Sequence, residues 1–172
     1  EGDIAAGSAE LCLTAAPLDP CTVSATDCMT LTIHIAPSVS AGDDAQICEN
    51  DSYTIEMASA SDFSSLYWSG GDGYFVDPNL LNPTYMPGEA DREDGSVELC
   101  ISAEPLAPCT TTAIDCMTLT ISPLPEVSAG INAVVCEGSN YELANATAEN
   151  YSGLLWTGGD GTFSNVSALN PV

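Results

Sequence analysis

Two glycine-rich turns set 88 residues apart constrain this chain more than any other feature. Trp68-Ser69-Gly70-Gly71-Asp72-Gly73, followed by Phe75, returns as Trp156-Thr157-Gly158-Gly159-Asp160-Gly161, followed by Phe163. The same interval carries Cys12, Cys21, Cys28 and Cys48 onto Cys100, Cys109, Cys116 and Cys136. Laying residues 1 to 84 on residues 89 to 172 needs no gap and gives 43 identities in 84 pairs. A period of this length marks a tandem array of one small domain, with a correspondingly modest core. Residues 1–36 then form the C-terminal half of one repeat, 37–124 a complete repeat, and 125–172 the N-terminal half of the next. Starting and stopping at nearly the same phase is the pattern of a segment from a longer array, so further units are expected on both sides.

Within the repeat, apolar residues alternate with polar or small ones. Ser8 to Thr14 and Cys28 to Ile33 flank a turn containing Pro17, Asp19 and Pro20, and Val97 to Ile121 repeats the arrangement around Pro108. Period-2 alternation on both sides of a proline-rich turn predicts an antiparallel hairpin, with proline kept off the ladder. Ala45 to Cys48, Tyr53 to Met57, Leu66 to Trp68 and Tyr74 to Val76 are further expected strands, and no stretch has helical periodicity. The expected fold is all-β: tandem immunoglobulin-like β-sandwich repeats of 88 residues and about seven strands each. The units meet through Ala36-Pro37 and Pro123-Leu124-Pro125, where fixed proline torsions predict a short, stiff connector.

Charge narrows the partners. The chain carries 25 acidic residues against the single basic Arg92, for a formal charge of −24. Nucleic acid and anionic membrane surfaces require basic side chains to displace counterions, so both are excluded as expected partners. Charged residues make up only 15% of the chain and apolar ones 45%, a composition that folds and does not match an acidic disordered tail. No apolar run approaches the roughly 18 residues of a membrane helix. Four cysteines per repeat, without a CxxC pair and with one histidine in the whole chain, suit disulfides better than zinc and place the protein outside the reducing cytosol.

The order Ser40-Ala41-Gly42-Asp43-Asp44-Ala45, then Trp68 with Gly71-Asp72-Gly73, then Asn82-Pro83-Thr84-Tyr85-Met86-Pro87-Gly88, then Val97 to Ile101, resembles immunoglobulin-like modules of the polycystic-kidney-disease type. The likeness extends over the whole chain and is greatest to the tandem arrays of secreted and surface adhesin-like proteins of the Bacteroidota. It implies an extracellular sandwich array. Four cysteines per unit depart from that pattern, so no pairing scheme is carried over from it.

Candidate sites are weighed against plainer roles. Trp68 and Trp156 could stack on sugars, but a tryptophan ending a strand in each copy is expected as structural core. Asp72 and Asp160 fit the backbone bonding of a Gly-Gly-Asp-Gly turn better than catalysis. Asp43, Asp44 and the cluster Glu89, Asp91, Glu93 and Asp94 are candidate calcium ligands. The other copy speaks against a site in every repeat, since it has Ile131 and Asn132 for Asp43 and Asp44, and Ala5 and Ala6 for Glu93 and Asp94. Loosely bound divalent cations are expected instead, and no cofactor. His34 becomes Ser122 in the next copy and is expected on a strand surface, so no repeated chemistry depends on it. Asn50, Asn145, Asn150 and Asn165 stand in short glycosylation sequons that arise by chance in Ser/Thr-rich chains. No catalytic residue is expected.

The hairpin arms make Cys100 and Cys116 cross-strand neighbours, and likewise Cys12 and Cys28, so each pair is expected as a disulfide. Cys48 should lie at the opposite end of its unit from Cys109, roughly 30 Å away at about 3.3 Å per residue. Two schemes stay open for Cys21, Cys48, Cys109 and Cys136: bonds between successive units or neighbouring molecules, or a distorted first strand that joins Cys48 to Cys109. The expected role is a non-enzymatic extracellular structural or adhesive segment of a long surface stalk or filament, whose partners are neighbouring repeats or copies of itself. The alternatives are a module that binds glycan or a cell-surface protein, and a spacer beside a secreted hydrolase.

Overall fold

The computed structural model describes residues 2–172. In chain order the elements are α1 (Gly2–Ala6), β1 (Ser8–Ala15), β2 (Ala25–Thr32), β3 (Ser38–Ser40), β4 (Ala45–Cys48), β5 (Tyr53–Thr54), β6 (Ser59–Ser61), β7 (Phe63–Ser69), β8 (Tyr74–Phe75), β9 (Thr84–Met86), α2 (Glu89–Asp94), β10 (Ser96–Pro105), β11 (Ala113–Ser122), β12 (Glu126–Ser128) and β13 (Thr147–Glu149). The protein is an all-β sandwich protein with two short helical turns.

The largest sheet has the order β4-β11-β10-β7 and belongs to the middle unit. Its hairpin β10–β11 has the two-sided character that the alternation demands. Val97, Leu99, Ile101, Ala103, Met117, Leu119 and Ile121 are buried, while Glu98, Thr118 and Thr120 between them face solvent. A second layer, made of β3 paired with β6 and of β5-β9-β8, closes over that face. Ala41, Ile55 and Tyr85 from the second layer share one core with Leu66, Trp68, Leu99 and Leu119. The run β7-β10-β11 is the C-F-G arrangement of an immunoglobulin-like sandwich, and the chain's entry strand splits into β3 in one layer and β4 in the other. β4 runs parallel to β11, from Ala45 opposite Leu119 to Cys48 opposite Ser122.

Three expectations are corrected. Tyr53 to Met57 forms a strand only over Tyr53–Thr54. The Ile55 N–H still donates to the Pro83 carbonyl at 3.0 Å, but Pro83 has no N–H to return, so the ladder ends there. His34 lies beyond the end of β2, in the connector and not on a strand. The acidic stretch after Gly88, in a chain read as having no helical periodicity anywhere, is the helix α2; Gly88 stands at its N-cap and Gly95, at φ 71°, closes it in the left-handed conformation that glycine tolerates. Six residues are too few to show a helical period in sequence.

The flanking halves differ in how much of their counterparts' local fold they have: the hairpin of the first is complete but uncovered, and the second has only one of the strand pairs of 37–84. β1 pairs with β2 from Ser8 opposite Thr32 to Ala15 opposite Ala25, the register of β10 with β11 shifted by one repeat. Its apolar residues Leu11, Leu13, Met29 and Leu31 are exposed. In residues 125–172 the only strands are β12 and β13, paired as β3 is with β6.

Candidate functional site

The repeated glycine turn is one side of a clasp. After β7, the chain turns through Gly70 at φ 131° and Gly71 at φ 63°. A Cβ on Gly70 would stand 2.1 Å from the Glu98 carbonyl oxygen, and one on Gly71 would stand 2.0 Å from the Tyr85 hydroxyl. Both conformation and space therefore demand glycine. The turn delivers the Asp72 carboxylate to the start of α2, where it accepts the N–H groups of Ala90 at 3.1 Å and Asp91 at 3.0 Å. Asp91 returns the contact. Its side chain, 5% exposed, accepts the N–H of Asp72 at 3.2 Å, the N–H of Gly88 at 2.9 Å and the hydroxyl of Tyr85. Gly73 N–H donates to the Tyr85 oxygen at 3.0 Å.

Each carboxylate of the clasp thus caps backbone donors that would otherwise be orphaned. The N–H groups of Asp91 and then Ala90 hold the Asp72 carboxyl below the usual carboxylate range. Burial, followed by the hydrogen bond to Asp91, pushes the Tyr85 phenol well above its ordinary value, so it acts as a neutral donor. Asp72 therefore bonds across to α2, where the sequence suggested bonding within its own turn. Asp91, a candidate calcium ligand, has its oxygens occupied by protein donors. Sequence reading passed over this pairing, although Asp91 recurs as Asp3 while Glu93 and Asp94 become Ala5 and Ala6.

The other candidates are dispersed. Trp68 is fully buried, donates its indole N–H to the Leu81 carbonyl at 3.2 Å, and packs against Phe75 with ring centroids 5.9 Å apart. Trp156 donates its indole N–H to the Ala168 carbonyl at 2.9 Å, one residue before the counterpart of Leu81, and is only half-buried. Asp44 accepts the N–H of Thr118 at 2.7 Å, tying the β3–β4 corner to β11, while Asp43 and Glu89 are exposed. Among the described residues, acidic and sulfur groups close enough to share an ion occur in threes only as Glu10 with Cys12 and Cys28, and Glu98 with Cys100 and Cys116. The cysteines of both sets are consumed in disulfides.

Those disulfides join Cys12 to Cys28 and Cys100 to Cys116, each pair directly opposite in its hairpin ladder. They lie on the face away from the core, since Leu99 and Ile101 on either side of Cys100 point inward. Cys21, Cys48, Cys109 and Cys136 are free thiols. Cys48 sits opposite Ser122 at the far end of the hairpin from the loop that holds Cys109. Cys109 faces the preceding unit, with its sulfur 3.6 Å from the carbonyl oxygen of His34.

No family model matches this chain, and no curated protein matches it. Among solved structures, it is similar to the crystal structure of protocadherin gamma C5 EC1-3, at 14% identity and a TM-score of 0.44, with 96% of this chain and 65% of that one covered. No helix among the described residues is long and apolar enough to cross a membrane.

Proposed function

We propose that this chain is a non-enzymatic extracellular segment of a repetitive surface stalk or filament, built from sandwich modules of the polycystic-kidney-disease type in the manner of Bacteroidota surface proteins. One observation carries the reading: the residues that recur between copies are spent on architecture. Trp68 fills the core, Gly70 and Gly71 admit neighbouring backbone and side chain, Asp72 caps α2, and Cys100 and Cys116 close the hairpin. Disulfides persist in oxidising surroundings, which supports a place outside the cytosol. A surface of formal charge −24 keeps such modules apart at low ionic strength, and loosely bound divalent cations would relieve that repulsion.

Small-angle scattering with a parallel glycan array tests the proposal. An elongated particle without sugar binding is the expected result. A compact particle with the units folded onto one another would sink the stalk, and micromolar binding of a sugar would move the protein to the class of recognition modules.

A further inference from the structure

We infer that successive units along one chain are joined at each junction by a disulfide, in which Cys48, or its counterpart Cys136 one repeat later, bonds the loop cysteine of the unit that follows, the position of Cys21 and Cys109. The inference deepens the stalk reading and rests on it only for the tandem order of the units.

The middle unit excludes a bond between its own two free thiols. β4 keeps a regular ladder on β11 with Ile47 packed against the core, and Cys48 stands opposite Ser122 at the last rung. The Cys48 carbonyl is fixed as well, accepting the Asp51 N–H at 2.9 Å. Cys109 lies beyond the other end of β11, which begins at Ala113, in a turn closed by its own N–H on the Leu106 carbonyl at 3.0 Å. The length of β11, roughly 30 Å at about 3.3 Å per residue, therefore separates the two. A disulfide spans Cα atoms about 4.4–6.8 Å apart. The ladder of β4 shows no distortion that would close the gap.

The same ladder shows where a partner for each thiol stands. The Ser122 carbonyl accepts the N–H of Glu49, the residue after Cys48, at 2.9 Å, and the Gln46 amide donates to the Ser122 hydroxyl at 2.6 Å. Ser122 is the exit of the unit, just before the connector at Pro123. His34 is its counterpart one repeat earlier, and the Cys109 thiol donates to the His34 carbonyl at 3.6 Å. At a junction between complete units, the loop cysteine of one unit and the residue after the ladder cysteine of the unit before it thus converge on one carbonyl. Ladder neighbours lie about 5 Å apart, which sets that ladder cysteine beside the carbonyl and within disulfide reach of the loop sulfur.

The stoichiometry agrees. Each 88-residue period carries one cysteine of each kind, Cys21 and Cys109 in the hairpin loop, Cys48 and Cys136 after the entry of the unit. One bond per junction consumes both kinds in equal number. The contact uses the backbone carbonyl of His34 or Ser122, so the change of side chain between copies leaves it intact. Each bond forms as two thiols give up two electrons and two protons to a small-molecule disulfide, which is cleaved to two thiols. Together with the peptide connector, the bond gives each junction two links and removes the swivel that a single connector leaves.

The test is one polypeptide in which the full chain is followed by residues 85–88 and then by the full chain again, so that the 88-residue period runs on unbroken. It is folded in a buffer of oxidised and reduced glutathione. Mass mapping after cleavage at Asp and Glu should find Cys48 linked to Cys21 and Cys136 to Cys109, with half of the junction cysteines unbonded, whereas the single chain in dilute solution should keep all four unbonded. Cys12–Cys28 and Cys100–Cys116 in the same map report that the hairpins have formed. Cys21→Ser with Cys109→Ser in the second copy should abolish both new bonds, and the same pair of changes in the first copy should leave both in place. A Cys48–Cys109 bond within one unit, junction cysteines left unbonded beside intact hairpin disulfides, or bonds that survive the second-copy changes would each overturn the inference. Unbonded junctions in an elongated particle would remove the bond and leave the stalk; sugar binding or a compact particle with the bonds formed would do the reverse.

Discussion

The hairpins β10–β11 and β1–β2 have nearly the same sequence, the same register and equivalent disulfides, yet one is the centre of a core and the other has an apolar face in water. What separates them is what lies across from each. Backbone pairing and a staple suffice to shape a hairpin, but its inward residues become a core only when the layer of β3, β6 and β9 is present. The hairpin is thus specified within its own half-unit, whereas the layer opposite it is not: in residues 125–172 the counterparts of β4, β5, β7 and β8 are not strands. Substitutions made at matched positions can measure that difference.

The largest contrast should come from tryptophan. Trp68→Ala removes a fully buried ring and should cost about 3–5 kcal/mol, a large part of a small domain's stability. Trp156→Ala, made where the ring is half-buried, should shift the urea midpoint of the dilute chain by less than half as much. Equal effects, followed by far-UV circular dichroism, would mean that the half-unit is packed as tightly as the middle one. Next, replacing Cys100 and Cys116 together by serine opens a link across a sequence separation of 16 and should cost about 3 kcal/mol. The same change at Cys12 and Cys28 should leave the global midpoint alone and instead speed amide exchange in β1 and β2.

Gly70→Ala forces a Cβ against the Glu98 carbonyl at a positive φ, and should cost about 1–3 kcal/mol. Gly158→Ala keeps the unfavourable φ but meets open space, so its thermal shift should be the smaller of the two. The subtlest test concerns Asp72. Folding lowers its pKa, so its contribution is complete above the unfolded value of about 4 and disappears as the pH falls through the folded value. The melting temperature of Asp72→Asn should therefore lie below that of the parent at pH 7 and converge with it below pH about 4. A gap that persists in acid would mean that the carboxylate charge is not what caps α2.

The repeat, the strand hairpins and the place of Trp68 in the core were legible because period-2 alternation and an ungapped 88-residue interval survive any ambiguity about packing; Trp156, expected in the core likewise, is only half-buried. The short strands β3, β6 and β9 were not. Each is three residues long and is defined by its partner, as Val39 is by Ala60, and such pairings between distant segments leave no periodic mark. The clasp was hidden for a related reason: Asp72 and Asp91 are 19 residues apart, and in a chain with 25 acidic residues a structural carboxylate has the same appearance as a solvated one. The sequence placed Cys48 and Cys109 at opposite ends of a unit, but only the fold shows that Cys109 looks back at His34.

The parallel pairing of β4 with β11 gives the unit a mechanical character. The chain enters beside Asp115, near the loop end of the hairpin, where the Ala41 N–H donates to that carboxylate at 2.8 Å, and it leaves past Ser122 at the other end. Tension applied through the two connectors therefore pulls the first and last strands along each other in opposite directions. The four rungs from Ala45 to Cys48 are loaded side by side, so they must break together and cannot unzip one after another. The rest of the hairpin lies behind that latch, with its arms tied by a covalent bond. A module wired in this way lets go rarely and all at once, so its lifetime under load is set by the rate of a single opening event and not by its equilibrium stability.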